Sequence, residues 1–556
     1  MHHIIGHAAA VAGGLLVASA AGTPAEGNAS SLLELIPADF PVTAVVTDPQ
    51  RLDETVAFLM KRLDPDSLGW SVVEDLRGDL PIGEWIDFHR PIGIAGGDGG
   101  PPLLWAQVPQ FEERMGRLEG AVGEEDLWRI SLPDGKTLYA RRRGEYVVAA
   151  MSMTSLDRGT KLDRTLAQAA ADRLDLGRAP DAIIHLNMAA LREGAASFVA
   201  ELAALGPLVA MLAEQQSGRE PTALATLGGG LLDAAHAIIR QAESLDLVLN
   251  VDAQSVTVTA MASFNDGPIR QYLAGRAPPR RPFFSEFEAR PYLLAVGYDL
   301  PGETSPVLEH LMQHSAASPS PSTGEAPAAA KLTALVRGVD RVDMVISGSP
   351  HAPRLWADAY GPDLAAVASH AAGALEEWHP LLARLTGVVG LERLGRRTIA
   401  EHVIEEFAVR PGAGAAVLAV SGEQPRLGLG VVGERLRVCL GTETDVNGRF
   451  GLSVANPLAE AAATREALAA LPLGGNVVVL FDAARLLVLV GAWGGTASAE
   501  PSPASPPVAV SLSLGDRPAR LDVRIPIQAL ESLQRVLRPR PRLDAGADGT
   551  GERPRS

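Results

Sequence analysis

His310 and His314, in GluHisLeuMetGlnHis, stand four residues apart, a spacing that sets two imidazoles on one helix face where they can chelate a single metal. A zincin carries Glu directly after its first His, and Leu311 occupies that place here. A catalytic zinc also needs a third protein ligand, which nothing near the pair supplies. The pair therefore reads as a solvated helix end, and no metal or cofactor is assigned. Glu84, Asp87 and His89, in GlyGluTrpIleAspPheHisArgPro, join two carboxylates to an imidazole beside aromatic rings. Burial and proximity can tune such groups for general acid and base work. The competing reading is a polar junction between a helix and a strand. Glu401, His402, Glu405 and Glu406 form a third group, read as the solvated face of a helix.

Other routes to chemistry are unmarked. The sequence has no G-x-S-x-G elbow, no S-x-x-K and no G-x-x-x-x-G-K-[ST] phosphate loop. Its single cysteine, Cys439, excludes an internal disulfide and cysteine-rich metal sites, and in ArgLeuArgValCysLeuGly it reads as a buried, inert strand residue. A formal charge of -17 argues against nucleic acid as a partner, because phosphate binding needs a concentrated basic surface. The one basic run, Arg141-Arg142-Arg143, abuts a strand turn and reads as a solvated hairpin tip.

The elements that must position these residues recur in order. A short apolar strand runs into Asp or Asn and then a helix at Asp48, Asn187, Asp299 and Asp482, two in each half. Each half also carries two strands about a Gly-Glu turn, at Gly144-Glu145 and Gly433-Glu434, and closes on a hairpin, turning near Asp252 and Asp516. Asp48-Pro49 is a helix start, with Asp as cap and Pro in the first turn. Helices are also expected over 161–173, along the stripe from Leu191 to Leu205, and from Asn456-Pro457. With 47% hydrophobic and 21% charged residues the chain can fold, and its 556 residues exceed the roughly 250 to 300 that one core supports. The expectation is an α+β protein of two similar domains, residues 32–276 and 283–537, each an antiparallel sheet with helices packed on one face. The boundary falls where GlyArgAlaProProArgArgPro interrupts regular structure. Low-complexity stretches at 315–330 and 496–507 read as mobile loops, and 538–556 as a disordered tail.

Residues 1–21 read as a signal peptide, with an apolar segment too short to span as an anchor and Ala18-Ser19-Ala20 as its cleavage site; 22–31 read as a polar linker. Export to the periplasm or cell envelope follows, with no stable membrane span after removal. LeuIleProAlaAspPhe with ValValThrAspPro, ArgProIleGlyIle at 90–94, LeuTyrAlaArgArgArgGlyGluTyrValValAla at 138–149 and ArgIleProIleGlnAlaLeu at 524–530 carry a resemblance to uncharacterised exported bacterial proteins of the planctomycete type. It implies a duplicated α+β fold and export, and brings no catalytic set. The reading is a non-enzymatic exported protein that binds an unknown protein or envelope ligand or serves structurally. The alternative is an exported hydrolase with a carboxylate or His site.

Overall fold

The chain's structure is a computed structural model. It describes most of residues 29–537; residues 64–70, 97–100, 174–179, 193–238, 275–278, 300–337, 376–387, 412–422 and 494–504, with some single positions, fall outside the described set, as do 1–28 and 538–556. The predicted signal peptide, His310, His314, the 315–330 stretch, the tail and most of the Leu191 to Leu205 stripe therefore lie outside the described residues.

The first ten strands are β1 (Val42–Val46), β2 (Ile92–Gly96), β3 (Leu103–Gln107), β4 (Ala121–Glu124), β5 (Leu127–Ser131), β6 (Thr137–Arg143), β7 (Tyr146–Ala150), β8 (Ala182–Asn187), β9 (Ala242–Val251) and β10 (Ser255–Phe264). The next ten are β11 (Tyr292–Asp299), β12 (Arg341–Ser349), β13 (Ala352–Tyr360), β14 (Val388–Ile399), β15 (His402–Pro411), β16 (Arg426–Val432), β17 (Arg435–Gly441), β18 (Val477–Phe481), β19 (Val508–Ser513) and β20 (Ala519–Pro526). All belong to one sheet, and every pairing in it is antiparallel.

From one edge to the middle the spatial order is β4-β5-β6-β7-β3-β2-β1-β8-β9-β10. From the other edge it is β14-β15-β16-β17-β13-β12-β11-β18-β19-β20, the same order with each strand number raised by ten. The two runs meet where β10 pairs with β20, from Ser255↔Pro526 to Ala262↔Ala519. At this joint Thr259 Oγ1 donates to Asp522 Oδ1 at 2.6 Å. The helix Ile527–Leu537 then crosses to the first half, where Ile527 packs with Leu52, Val56 and Leu59 of the helix Pro49–Leu63.

Local signals explain the elements. Asp48 Oδ1 accepts from Arg51 N–H at 2.9 Å and Asp482 Oδ1 from Arg485 N–H at 3.1 Å, so both carboxylates cap the helices after their strands. Gly144 and Gly433, with φ of 59° and 60°, make the tight turns β6–β7 and β16–β17. Helices lie on both faces of the sheet, where one covered face was expected. The reason is that β3 and β7 are apolar without alternation and bury both sides. Trp105 and Val148 face Leu33, Leu156 and Leu166, whereas Leu104 and Val147 face Val73, Phe111 and Met115. The predicted helix over 161–173 is confined to Leu166–Ala170, opened by a Thr165/Gln168 capping box. After Pro457 the chain makes a short 3-10 turn, Leu458–Glu460, before the helix Ala462–Ala469. Ala29–Leu33 is helical, so regular structure starts inside the expected linker.

The segment 281–287 lies against the second half, and its Phe283 ring covers Gly297 of β11 so closely that a Cβ there would overlap it. Gly297→Ala is expected to cost about 1–3 kcal/mol through overpacking. Urea unfolding reads this as a lowered midpoint, and an unchanged midpoint would contradict the packing.

Candidate functional site

Glu84 lies within the 3-10 helix Gly83–Trp85, and Asp87 and His89 lie on the turn that follows it. Glu84 is exposed, and the His89 side chain is 72% exposed. Asp87 closes the turn locally: its N–H donates to Gln107 O at 2.9 Å, and its Oδ1 accepts from His89 N–H at 3.1 Å. His89 Nδ1 is 3.7 Å from Asp48 Oδ1, the oxygen that caps the following helix. The Asp87 side chain serves the turn, and His89 stands beside the Asp48 cap.

Glu401, His402, Glu405 and Glu406 are in a β-hairpin, against the expected helix. Ala400 and Glu401, with φ of 46° and 72°, form the two-residue turn, and His402 opens β15. Strand pairing overrode helix propensity, because Ile404 and Phe407 of β15 each sit fully buried in a core. Glu405 meets Arg393 and Arg396; burial pushes its carboxyl up, but the hydrogen bonds from Arg396 and Arg393 outweigh this and hold it low. Arg141 is less solvated than expected, lying between Asp126 and Asp157, while Arg142 Nη1 donates to both carboxylate oxygens of Glu112 at 2.8 and 2.9 Å. That hydrogen bonding lowers the Glu112 pKa. Cys439 is fully buried in β17, and burial pushes its thiol up to about 12.

Among the buried ionic groups of the described residues that escaped the sequence reading are two clusters, one in each half. In the first half, His185 of β8 stands directly across from Asp246 of β9, with Nδ1 2.6 Å from Oδ1, and Arg173 Nε donates to the other carboxylate oxygen at 2.6 Å. His185 is 3% exposed and Asp246 fully buried. Burial pushes the Asp246 carboxyl up, but the hydrogen bond and charge of His185, joined by Arg173, hold it below the usual range. A carboxylate that orients an imidazole is half of a general-base arrangement. Both groups are closed from solvent, so the dyad as it stands joins β8 to β9 and to Arg173.

In the second half, Asp343 of β12 faces Asp358 of β13 in register, two like charges side by side. Each has its own cation: Arg341 Nη2 donates to Asp343 Oδ2 at 2.7 Å, and Arg437 Nε donates to Asp358 Oδ1 at 3.1 Å, with Arg449 Nη2 2.7 Å from Asp358 Oδ2. The same guanidiniums donate to main-chain carbonyls of the segment 281–287: Arg341 to Arg281 O and Pro282 O, Arg449 to Glu286 O. Burial raises the Asp343 pKa in spite of Arg341. The sequence did carry a signal, the charged residues lodged in apolar strands as AlaIleIleHisLeu, ArgValAspMetVal and LeuTrpAlaAspAla. It gave no hint of which would meet.

No described residues gather three or more His, Cys, Asp or Glu as a metal site, and no helix among the described residues is long and apolar enough to cross a membrane. No protein-family model and no curated protein matches the chain. The solved structure of TP0453 in its crystal form III aligns over 43% of this chain and 81% of its own, at 8% identity and a TM-score of 0.20. A likeness of that size carries neither fold nor activity across.

Asp246→Asn leaves His185 and Arg173 without their anion and is expected to cost about 3–5 kcal/mol at neutral pH. Because the folded-state pKa of Asp246 is depressed, its contribution is present above the unfolded pKa and lost as pH falls through the folded one. Denaturant midpoints of wild type and variant should therefore converge on acidification; a gap unchanged by pH would exclude an ionised Asp246.

Proposed function

We propose that this chain is an exported, non-enzymatic protein, built from two copies of one α+β unit, with a binding or structural role in the periplasm or cell envelope. The observation that carries the reading is the use made of its ionisable groups. Asp87 closes a turn, Asp48 and Asp482 cap helices, and the buried Asp246, Asp343 and Asp358 tie strands to neighbouring strands and segments. A hydrolase needs at least one such group directed at substrate. The shared strand order of the two halves supports duplication, since the order β4-β5-β6-β7-β3-β2-β1-β8-β9-β10 is intricate enough that one ancestral unit explains it more simply than two independent origins. The apolar segment before Ala18-Ser19-Ala20 supports export.

Two measurements test the reading. Mass spectrometry of the chain from its native host should find the N-terminus just after Ala18-Ser19-Ala20, at residue 21 or 22, in the envelope fraction; an intact Met1 in membrane-free cytosol would refute export. The purified mature chain should show no turnover of generic ester, phosphate or peptide substrates. Turnover abolished by Glu84→Gln, Asp87→Asn or His89→Ala, with folding retained, would establish the hydrolase alternative.

A further inference from the structure

The sheet ends at β4 on one side and at β14 on the other, and among the described residues neither has a strand partner beyond β5 and β15. An open edge is a template for a further strand, and the joint of β10 with β20 shows this sheet extending by antiparallel pairing of equivalent strands. β4 and β14 are equivalent in the same sense, each the outermost strand of its half. Exposed apolar side chains gather at both ends. Val122 of β4, Leu394 of β14 and Val403 of β15 are 57%, 50% and 58% exposed, and Phe58 is the one other large hydrophobic side chain among the described residues that is at least half exposed. Val403 stands across from Thr398 of β14.

The two edges differ in charge. Between residues 119 and 126 the β4 end holds four exposed carboxylates, Glu119, Glu124, Glu125 and Asp126, and no cation of its own; Arg129 and Arg141 of the inner strands reach Glu124 and Asp126. The β14–β15 hairpin balances four arginines with four glutamates, but they are placed unequally. Glu405 and Glu406 belong to the inner strand and are mostly covered, whereas Arg393 and Arg396 lie on the edge strand, Arg396 with its side chain 72% exposed. Length fits as well. Bulges divide β14 into the regular runs 390–393 and 395–399. They keep a long edge from pairing along its whole length, yet each run has room for a strand as short as β4, Ala121–Glu124.

We propose that copies of this chain join head to tail, β4 of one adding antiparallel to the 395–399 run of β14 in the next, with Glu124 across from Arg396 and Val122 across from Thr398, beside Val403. Because β4 and β14 are opposite ends of one sheet, the contact is heterologous and its repetition makes an open chain of molecules. The proposal gives the structural role inferred above a partner, a second copy, and rests on that reading only for where such chains would form. A contact of about four residue pairs lies at the small end of interface sizes, so the association is weak and builds up only at high protein concentration.

The test is sedimentation velocity of the full mature chain over rising protein concentration. The weight-average mass is expected to climb past that of a dimer without reaching a plateau. Glu124→Arg and Arg396→Glu should each weaken association about fivefold or more, by setting like charges across the new ladder, and the double variant should regain it. Far-UV circular dichroism checks that the variants fold. Should Arg396→Glu disturb its own hairpin, where Glu405 stands beside it, Val122→Lys reads the same contact from the other edge and should weaken association likewise. A monomer at every concentration, a plateau at the dimer, a Glu124→Arg chain that associates as wild type does, or a double variant no better than the singles would overturn the proposal. None of these results bears on export or on the absence of turnover, which have their own measurements.

Discussion

The pairing of β10 with β20 is the constraint on which the rest of the architecture depends. Each strand is the last of its half, and alone each would leave a row of unpaired main-chain groups at a sheet edge. Joined over eight residue pairs, they turn two ten-stranded runs into one sheet. The side chains at the joint divide by face. Val256, Val258 and Ile525 turn toward the helices Pro49–Leu63 and Ile527–Leu537, while Thr259, Asp522 and Arg520 turn the other way. Hydrophobic burial holds one side of the joint, and a carboxylate that accepts from Thr259 and Arg520 holds the other.

Strand order is common to the two halves, but their buried chemistry is not. Followed outward from Met261 of β10, one ladder row reads Asp246, His185, Thr43, Ala95, Leu103 and Ala150. Followed outward from Asp522 of β20, a row on the same face of the second half reads Ser511, Val478, Gly297, Asp343, Asp358 and Arg437. The first half keeps its charges next to the joint and fills the outer strands with apolar side chains around Trp105. The second half does the reverse, and there the missing side chain of Gly297 admits the Phe283 ring. A backbone arrangement of this size therefore tolerates either solution, provided each buried charge finds a partner in the same row or in the segment laid over it.

Local elements were legible wherever a single residue type decides the conformation. Asp48 before Pro49, Asp482 after an apolar strand, and the glycines at 144 and 433 act within a few residues of themselves, and the structure uses them as caps and turns. The hairpin at Ala400-Glu401 was not legible, because it lacks the Asn-Gly or Asp-Gly pair that announces such a turn, and Glu405 and Glu406 resemble a helix surface. Two-sided burial of β3 and β7 was visible in LeuLeuTrpAla and TyrValValAlaAla, though hairpins spaced closely along the chain pointed to a sheet covered on one face only.

The sequence by itself determined many of the strands, though not the β14–β15 hairpin, where several of their turns and caps fall, that the strands pair antiparallel, and that the elements recur in the same order. These follow from side-chain period, backbone dihedral preference and capping, all of which act over a few residues. Only the tertiary structure decided that the halves close on each other through β10 and β20, and that Asp246 meets His185 and Arg173. It also decided that Asp343 and Asp358 lie side by side among three arginines. Those contacts join residues tens to hundreds of positions apart, and their energies depend on register and burial, neither of which is written in the neighbourhood of any one of them.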